Sequence, residues 1–212
     1  IEGANTSFQV HLRVNPEQFA NCYNAAQLGT AAALAISTNS PLLMGHRLWE
    51  ETRVILFKQS VESRHMQRKH YVGPSRAGLG NGWVESSALE LFEASVNDYP
   101  VLIPEYSHED YQQILSDGGI PKLADLHMHH GSIWHWNRAI YDAADNGHLR
   151  IEMRALPSGP TSLDMASNAA FCIGITQGLA SSMPAFSRQL DFSTVQQNFY
   201  AAAKHGLNAE FL

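Results

Sequence analysis

The sequence has little cysteine, little charge and no long apolar run, and each shortage excludes a class of protein. Its 212 residues include two cysteines, Cys22 and Cys172, which are too few and too far apart for a disulfide framework or a paired-cysteine zinc site. No run of about eighteen apolar residues occurs, so we expect no transmembrane helix and no membrane partner. We therefore expect a cytoplasmic protein.

Charged residues make up only 16% of the chain, with 14 basic and 20 acidic side chains and a formal net charge of -6. A nucleic-acid partner is not expected, because phosphate binding needs clustered lysine and arginine. The short basic run at residues 64–70 is interpreted as a solvated loop. The chain has neither an initiator methionine nor a charged leader before its first strand pattern. We therefore expect the C-terminal portion of a longer catalytic domain, without a signal peptide.

Three segments alternate apolar and polar residues in the manner of half-buried strands: 7–14, 133–140 and 148–155. Residues 141–147 would join the last two in a hairpin. Helices are predicted after Asn15-Pro16 and over residues 86–97, 108–115, 121–129, 161–180 and 193–205. We therefore predict one α+β unit over residues 1–212, with an antiparallel sheet flanked by helices.

The segment 148–155 places Arg150, Glu152 and Arg154 on one face, because the apolar residues between them face the core. Same-face neighbours on a strand lie about 7 Å apart. A carboxylate there can take a hard cation, and the arginines can hold phosphate or carboxylate oxygens. A salt-bridge ladder on a solvated sheet face explains this strand equally well.

The segment 133–140 places Trp134, Trp136 and Arg138 on one face. The hairpin would bring Arg138 beside Glu152, and three arginines around one carboxylate require an anionic ligand. Alternatively, the tryptophans belong to the core and Arg138 covers them by cation–π contact. Gln9 and His11 share the polar face of the first strand and are candidate metal or phosphate contacts, although a single strand histidine is usually structural.

Several segments, in this order along the chain, resemble the glutamate–cysteine ligase family, in the branch of the plant-type enzymes and bacterial carboxylate–amine ligases. They are SFQVHL from Ser7, AISTNSPL from Ala35, Arg53, IWHWNR from Ile133 and LRIEMR from Leu149. The resemblance extends from residue 5 to about residue 174. The Arg-Ile-Glu-Met-Arg segment is also similar to a strand of glutamine synthetase, whose catalytic fold that family shares.

The resemblance implies ATP and Mg²⁺ as cofactors and assigns roles to individual residues. Glu152 would bind Mg²⁺, while Arg150 and Arg154 would hold the nucleotide phosphate and the substrate carboxylate, with Arg138 beside them. Gln9 and His11 would contact metal and phosphates, although Gln9 departs from the histidine form of this pair and glutamine is the weaker metal ligand. The remaining matches, to the amino-acid pocket, are Asn39, Ser40 and Arg53.

Ligases of this family phosphorylate a carboxylate such as glutamate, and an amine such as cysteine then displaces the phosphate. Such chemistry depends on metal and arginine more than on a nucleophilic side chain. The sequence accordingly has neither a P-loop nor a G-x-G-x-x-G motif. Relatives carry a Glu-x-Glu-like strand that is not found before Gln9. We therefore expect the remaining metal ligands from the rest of a longer chain, and an inactive fragment without them.

Two rival interpretations remain. The first is a zinc or nickel site, because these metals prefer imidazole ligands and the chain has a histidine group at His127, His129 and His130, with His135 nearby. A helix-end or surface role is favoured for these histidines. The chain is alternatively a noncatalytic module that binds an amino acid or a nucleotide.

Overall fold

The structure, a computed structural model, describes residue 3 and residues 5–61, 73–104 and 106–212. The basic run predicted to be a solvated loop, at residues 64–70, lies outside the described residues. Helices and small sheets, mostly antiparallel, make up the described part of the fold, so the predicted α+β class is confirmed.

The strands are short, and three of them form the central sheet. In chain order they are β1 (Val10–Val14), β2 (Leu42–Leu43), β3 (His46–Arg47), β4 (Ala77–Gly78), β5 (Trp134–His135), β6 (Asn137–Asp142) and β7 (His148–Met153). The central sheet has the antiparallel order β1-β7-β6. The predicted hairpin is confirmed, since β6 and β7 pair across the turn at residues 143–147.

The helices are α1 (Phe19–Ser37), α2 (Thr52–Ser60), α3 (Leu89–Asp98), α4 (Tyr111–Ser116), α5 (Ala124–Gly131), α6 (Ser162–Ala180), α7 (Met183–Gln189) and α8 (Phe192–His205). Local sequence determines several of their ends. The side chain of Asn15 accepts from the backbone of Glu17 in a short 3-10 turn before α1, and Thr161 and Asp164 form a capping box on α6. The sequence analysis did not predict α2 or α7.

The strand predicted over residues 133–140 is broken at Trp136. β5 pairs with β4 in parallel, whereas β6 pairs with β7. The ring of Trp136 is buried between Phe57 and Phe199, with ring centroids 5.6 Å away in both cases. The prediction of one continuous strand is therefore wrong, because burial of this ring diverts the chain from one sheet to the other. The cation that lies over Trp136 is Arg53, at 5.3 Å, and not Arg138.

Helix α1 packs between the apolar face of the sheet and helices α6 and α8. Its small residues allow a close approach: a Cβ at Gly29 would lie 2.9 Å from Cγ2 of Ile175 on α6. Among the described residues, no single helix is long and apolar enough to cross a membrane, although α6 and α7, bent by 84°, reach that length and composition together.

Candidate functional site

The polar face of the central sheet carries a row of three side chains, one from each strand. His11 on β1 lies opposite Glu152 on β7, and Glu152 lies opposite Arg138 on β6. The neighbouring positions point to the apolar side, where Ile151 and Met153 are buried. The expectation that the hairpin brings Arg138 beside Glu152 is therefore met.

Glu152 contacts two guanidinium groups and one imidazole. The Nε of Arg138 donates to its Oε2 at 2.8 Å, and the Nε of Arg154 lies 3.5 Å from the same oxygen. The Nε2 of His11 lies 3.4 Å from Oε1. We call these four residues the Glu152 cluster.

Glu152, Arg138 and Arg154 are shielded from solvent, whereas His11 is exposed. The exposed fractions of its side chains are 7% for Glu152, 17% for Arg138, 16% for Arg154 and 38% for His11. A salt-bridge ladder on a solvated face would leave its carboxylate open to water. Glu152 is less open to water than the carboxylate of a fully solvated ladder, because its ion-pair partners cover it.

Arg150 does not join the Glu152 cluster. Its Nη1 lies 3.1 Å from Oδ2 of Asp142 and 3.2 Å from Nε2 of His148, at the hairpin end of the sheet. Its register partner on β1 is Arg13. The arginines that contact Glu152 are thus Arg154 and Arg138, and not the predicted pair Arg150 and Arg154, while a contact between Arg150 and phosphate stays a prediction.

The residues matched to the amino-acid pocket form a second group, in which Arg53 is buried and Asn39 is exposed. The Nε of Arg53 donates to Oε1 of Glu51 at 2.9 Å, and its Nη2 donates to the carbonyl of Ala155. The backbone N–H of Asn39 donates to Oε2 of Glu51 at 2.9 Å, and that of Arg53 donates to Oγ of Ser40 at 3.3 Å. Because Ala155 follows Arg154, the structure brings Arg53 close to the Glu152 cluster, while Asn39 and Ser40 are linked to it only through Glu51 and the backbone of Arg53.

Glu51 was missed in the sequence analysis, although it is fully buried and holds this second group together. A carboxylate two residues before Arg53 was the available signal. Arg53 uses at least two of its donors on protein partners, so its proposed contact with substrate stays a prediction.

The two groups together contain three guanidiniums and two carboxylates. Burial lowers the pKa of Arg154, nearby Glu152 raises it, and the charges of Arg138 and Arg53 lower it further. One positive charge is therefore uncompensated within the two groups, an arrangement that favours an anionic ligand.

Gln9 lies exposed immediately before β1. Continuing the register of β1 and β7 places it across from Arg154. Its predicted contacts with metal or phosphate remain untested by this geometry.

The histidines of the rival metal-site interpretation point to separate partners. The Nε2 of His129 lies 2.7 Å from the carbonyl of Ser95, and that of His130 lies 3.0 Å from the carbonyl of Ala139. Within residues 5–61, 73–104 and 106–212, no group of three or more histidine, cysteine, aspartate or glutamate side chains is arranged to hold a metal ion. These contacts favour a structural role for the histidines.

A cavity of about 260 Å³ lies along the outer edge of β6, beside the Glu152 cluster. His130 and His135 line it, and the Tyr99 hydroxyl lies 3.1 Å from Nε2 of His135. Burial and, to a smaller extent, the charge of Arg138 lower the pKa of both histidines to about 4, so both are neutral at pH 7. The sequence analysis did not predict this cavity, which we call the β6 pocket.

No protein-family model matches the chain, and no curated protein matches it. The function proposed for it therefore depends on its own residues and their geometry.

Proposed function

We propose that this chain forms one side of the active site of an ATP- and Mg²⁺-dependent carboxylate–amine ligase of the glutamate–cysteine ligase family, with a glutamine-synthetase-like sheet. The observation that carries the proposal is the Glu152 cluster. A shielded carboxylate lies in one cross-strand row with an arginine and a histidine, a second arginine adjoins it, and a positive charge remains uncompensated nearby. These are the groups that phosphoryl transfer requires.

The carboxylate of Glu152 fits a magnesium ligand. Its Oε2 is occupied by Arg138 and Arg154, whereas among the described residues Oε1 contacts His11 at 3.4 Å. Oε1 is thus the atom that would hold Mg²⁺, which binds through one or two carboxylates together with substrate phosphates. When bound, the ion would neutralise charge on the transferring phosphoryl group.

Arg138 and Arg154 would stabilise the same charge in the proposed reaction, because their guanidiniums are already held in place before substrate binds. The γ-phosphoryl group passes from ATP to the carboxylate of glutamate or a related acid, giving an acyl phosphate and ADP. The amine nitrogen, of cysteine or a similar compound, then forms a bond to the acyl carbon. The bond from that carbon to the phosphate oxygen breaks, phosphate leaves, and the surplus proton on nitrogen passes to water.

The proposal assigns nucleotide contacts to Gln9, His11 and Arg150, and substrate contacts to Asn39, Ser40, Arg53 and Arg154. It also includes further metal-binding carboxylates from the remainder of a longer chain, and a cytoplasmic location.

The test is a product assay on the full-length protein with ATP, Mg²⁺, glutamate and a panel of amines. We expect ADP release that depends on both glutamate and an amine, with an amide product identified by mass spectrometry. Arg154→Ala should lower turnover by about 10²- to 10³-fold, the usual effect of removing one preorganised donor. Arg13→Ala is the matched control, since Arg13 lies on the same sheet face, is 57% exposed and pairs with Asp145. ATP turnover that needs neither glutamate nor amine would refute the ligase.

A noncatalytic binding module of the same fold is the second candidate. This candidate is favoured because, among the described residues, the Glu152 cluster offers a metal ion one carboxylate, that of Glu152. Saturable binding of ATP or an amino acid to the full-length protein, without product under any of the amines, would select this candidate.

A further inference from the structure

A second cavity, of about 240 Å³, is lined by α2, α8, β5 and the segment 74–81. The polar side chains that these elements bring to it include Lys58 on α2, His135 on β5, and Gln196 and Tyr200 on α8. We call it the α2–α8 pocket. Its volume lies below the roughly 300–1,000 Å³ of pockets for drug-sized ligands, so a molecule bound there would be small.

Lys58 brings a positive charge to the α2–α8 pocket that no carboxylate compensates. Its side chain is half-buried, and its Nζ donates to the hydroxyl of Tyr200, a neutral partner, at 2.9 Å. Nζ also lies 4.9 Å from the centroid of the Tyr200 ring, a contact that stabilises the ammonium without neutralising it. In the part of the chain that the structure describes, no carboxylate forms an ion pair with Lys58. A half-buried cation without a counter-charge favours an anionic ligand.

The rest of the lining leaves this charge uncompensated. No aspartate or glutamate is among the described residues that line the α2–α8 pocket. Asp98 accepts from Nδ2 of Asn81 at 3.5 Å, but Asp98 lines the β6 pocket and not this one. Burial and, to a smaller extent, nearby arginine charges lower the pKa of His135 to about 4, so His135 is neutral at pH 7. An anion in the pocket would therefore meet the charge of Lys58 and no opposing carboxylate from these residues.

The donors of Lys58 and Tyr200 match a phosphate group. An ammonium has three donors and no acceptor, so Nζ keeps two donors after its hydrogen bond to Tyr200. The Tyr200 oxygen accepts that bond, which leaves its own proton free to donate to a ligand. Three donors on two atoms 2.9 Å apart can serve one group with three acceptor oxygens, as a phosphate has, whereas a carboxylate has two.

We infer that the α2–α8 pocket binds a phosphate group, free or carried by a small molecule, between the Nζ of Lys58 and the hydroxyl of Tyr200. No residue of the Glu152 cluster lines this pocket. The two places are linked through His135, whose carbonyl accepts from Nη1 of Arg154 at 3.5 Å. Because the donors of the phosphate site lie outside the Glu152 cluster, the site does not depend on the proposed ligase function.

The test is protein-observed NMR on the full-length, ¹⁵N-labelled protein at pH 7, titrated with inorganic phosphate while sodium chloride keeps the ionic strength constant. Gly78 and Gly80 line the pocket, so their backbone amides report on binding there, whereas the amide of Glu152 reports on the Glu152 cluster. We expect saturable shifts at Gly78 and Gly80, and no shifts there with acetate. A parallel titration with glycerol phosphate separates the two sources: tighter binding than that of inorganic phosphate indicates a phosphorylated molecule, and weaker binding indicates free phosphate.

Variants of the two donors locate the binding. Lys58→Met keeps the apolar stem, removes the ammonium and should weaken phosphate binding by about ten-fold or more. Lys204→Met is the matched control, since Lys204 is exposed on α8 and does not line the pocket, so this variant should bind phosphate as the parent does. Tyr200→Phe keeps the ring that packs on Phe199 and should weaken binding by about two- to ten-fold.

The absence of shifts at Gly78 and Gly80 up to about 10 mM phosphate, ten-fold above the upper end of usual KM values, would overturn the phosphate site. Equal weakening by Lys58→Met and Lys204→Met would overturn it as well, because general attraction to positive charge would then explain the shifts. Equal shifts with acetate would refute the assignment to phosphate. Arg154→Ala should leave the shifts at Gly78 and Gly80 unchanged even where it abolishes ligase turnover, so the two proposals fail separately.

Discussion

Replacing Glu152 with glutamine separates a metal-binding carboxylate from one that only balances charge. The substitution keeps the shape of the side chain and an oxygen that can accept from Arg138, but it removes the negative charge between Arg138 and Arg154. Both arginines are less than one-fifth exposed, so water compensates them poorly.

The effect on stability follows from that burial. Removing one partner of a buried ion pair costs about 3–5 kcal/mol, and the retained hydrogen bond places Glu152→Gln near the lower end, at about 3 kcal/mol. Asp145→Asn is the control, because Asp145 is 77% exposed and lies 3.7 Å from Arg13, which is 57% exposed, so it should cost less than about 1 kcal/mol. Urea denaturation of both variants at pH 7 measures the free energies of unfolding.

Ligand binding provides the decisive comparison for Glu152→Gln. If Oε1 of Glu152 holds Mg²⁺, the variant should bind ATP more weakly in the presence of the metal. The same variant should bind inorganic phosphate more tightly without metal, because two guanidiniums have lost their counter-charge. Isothermal titration calorimetry measures both affinities. Unchanged or tighter Mg²⁺-dependent ATP binding would refute the metal role of Glu152, and unchanged stability would refute the buried ion pair.

Three further predictions concern the fold. The pKa values of His130 and His135 are lowered to about 4, so the unfolded chain takes up protons before the folded chain as the pH falls. The free energy of unfolding should therefore be greatest above about pH 6.5 and fall toward pH 4 by up to about 3 kcal/mol per histidine. Denaturation across that pH range measures this, and a flat profile would contradict it. Gly29→Val should destabilise the protein by about 1–3 kcal/mol, because the larger side chain crowds the contact of α1 with α6. Gly174→Ala, whose Cβ meets open space on α6, should stabilise the protein by about 0.5–1 kcal/mol. Equal changes in melting temperature for the two variants would argue against this packing. Thr161→Ala removes the capping box and should cost about 1 kcal/mol in thermal unfolding, while an unchanged melting temperature would show that the cap contributes nothing.

Local pattern was sufficient for the faces of the strands and for several helix ends. Alternation alone placed Glu152 and its arginines opposite Ile151 and Met153, because successive side chains on a strand point to opposite faces. The caps at Asn15 and Thr161 were also readable, since each acts on backbone groups two or three residues away.

Tertiary structure decided which groups meet. Alternation predicts the face of a side chain but not its partner, which depends on strand register and on segments far away in the chain. Arg150 thus pairs with Asp142 while Arg138 reaches Glu152, and Glu51 becomes the partner of Arg53. The break at Trp136 and the β6 pocket arise in the same way, because rings and helices that form them come together only when the chain has folded.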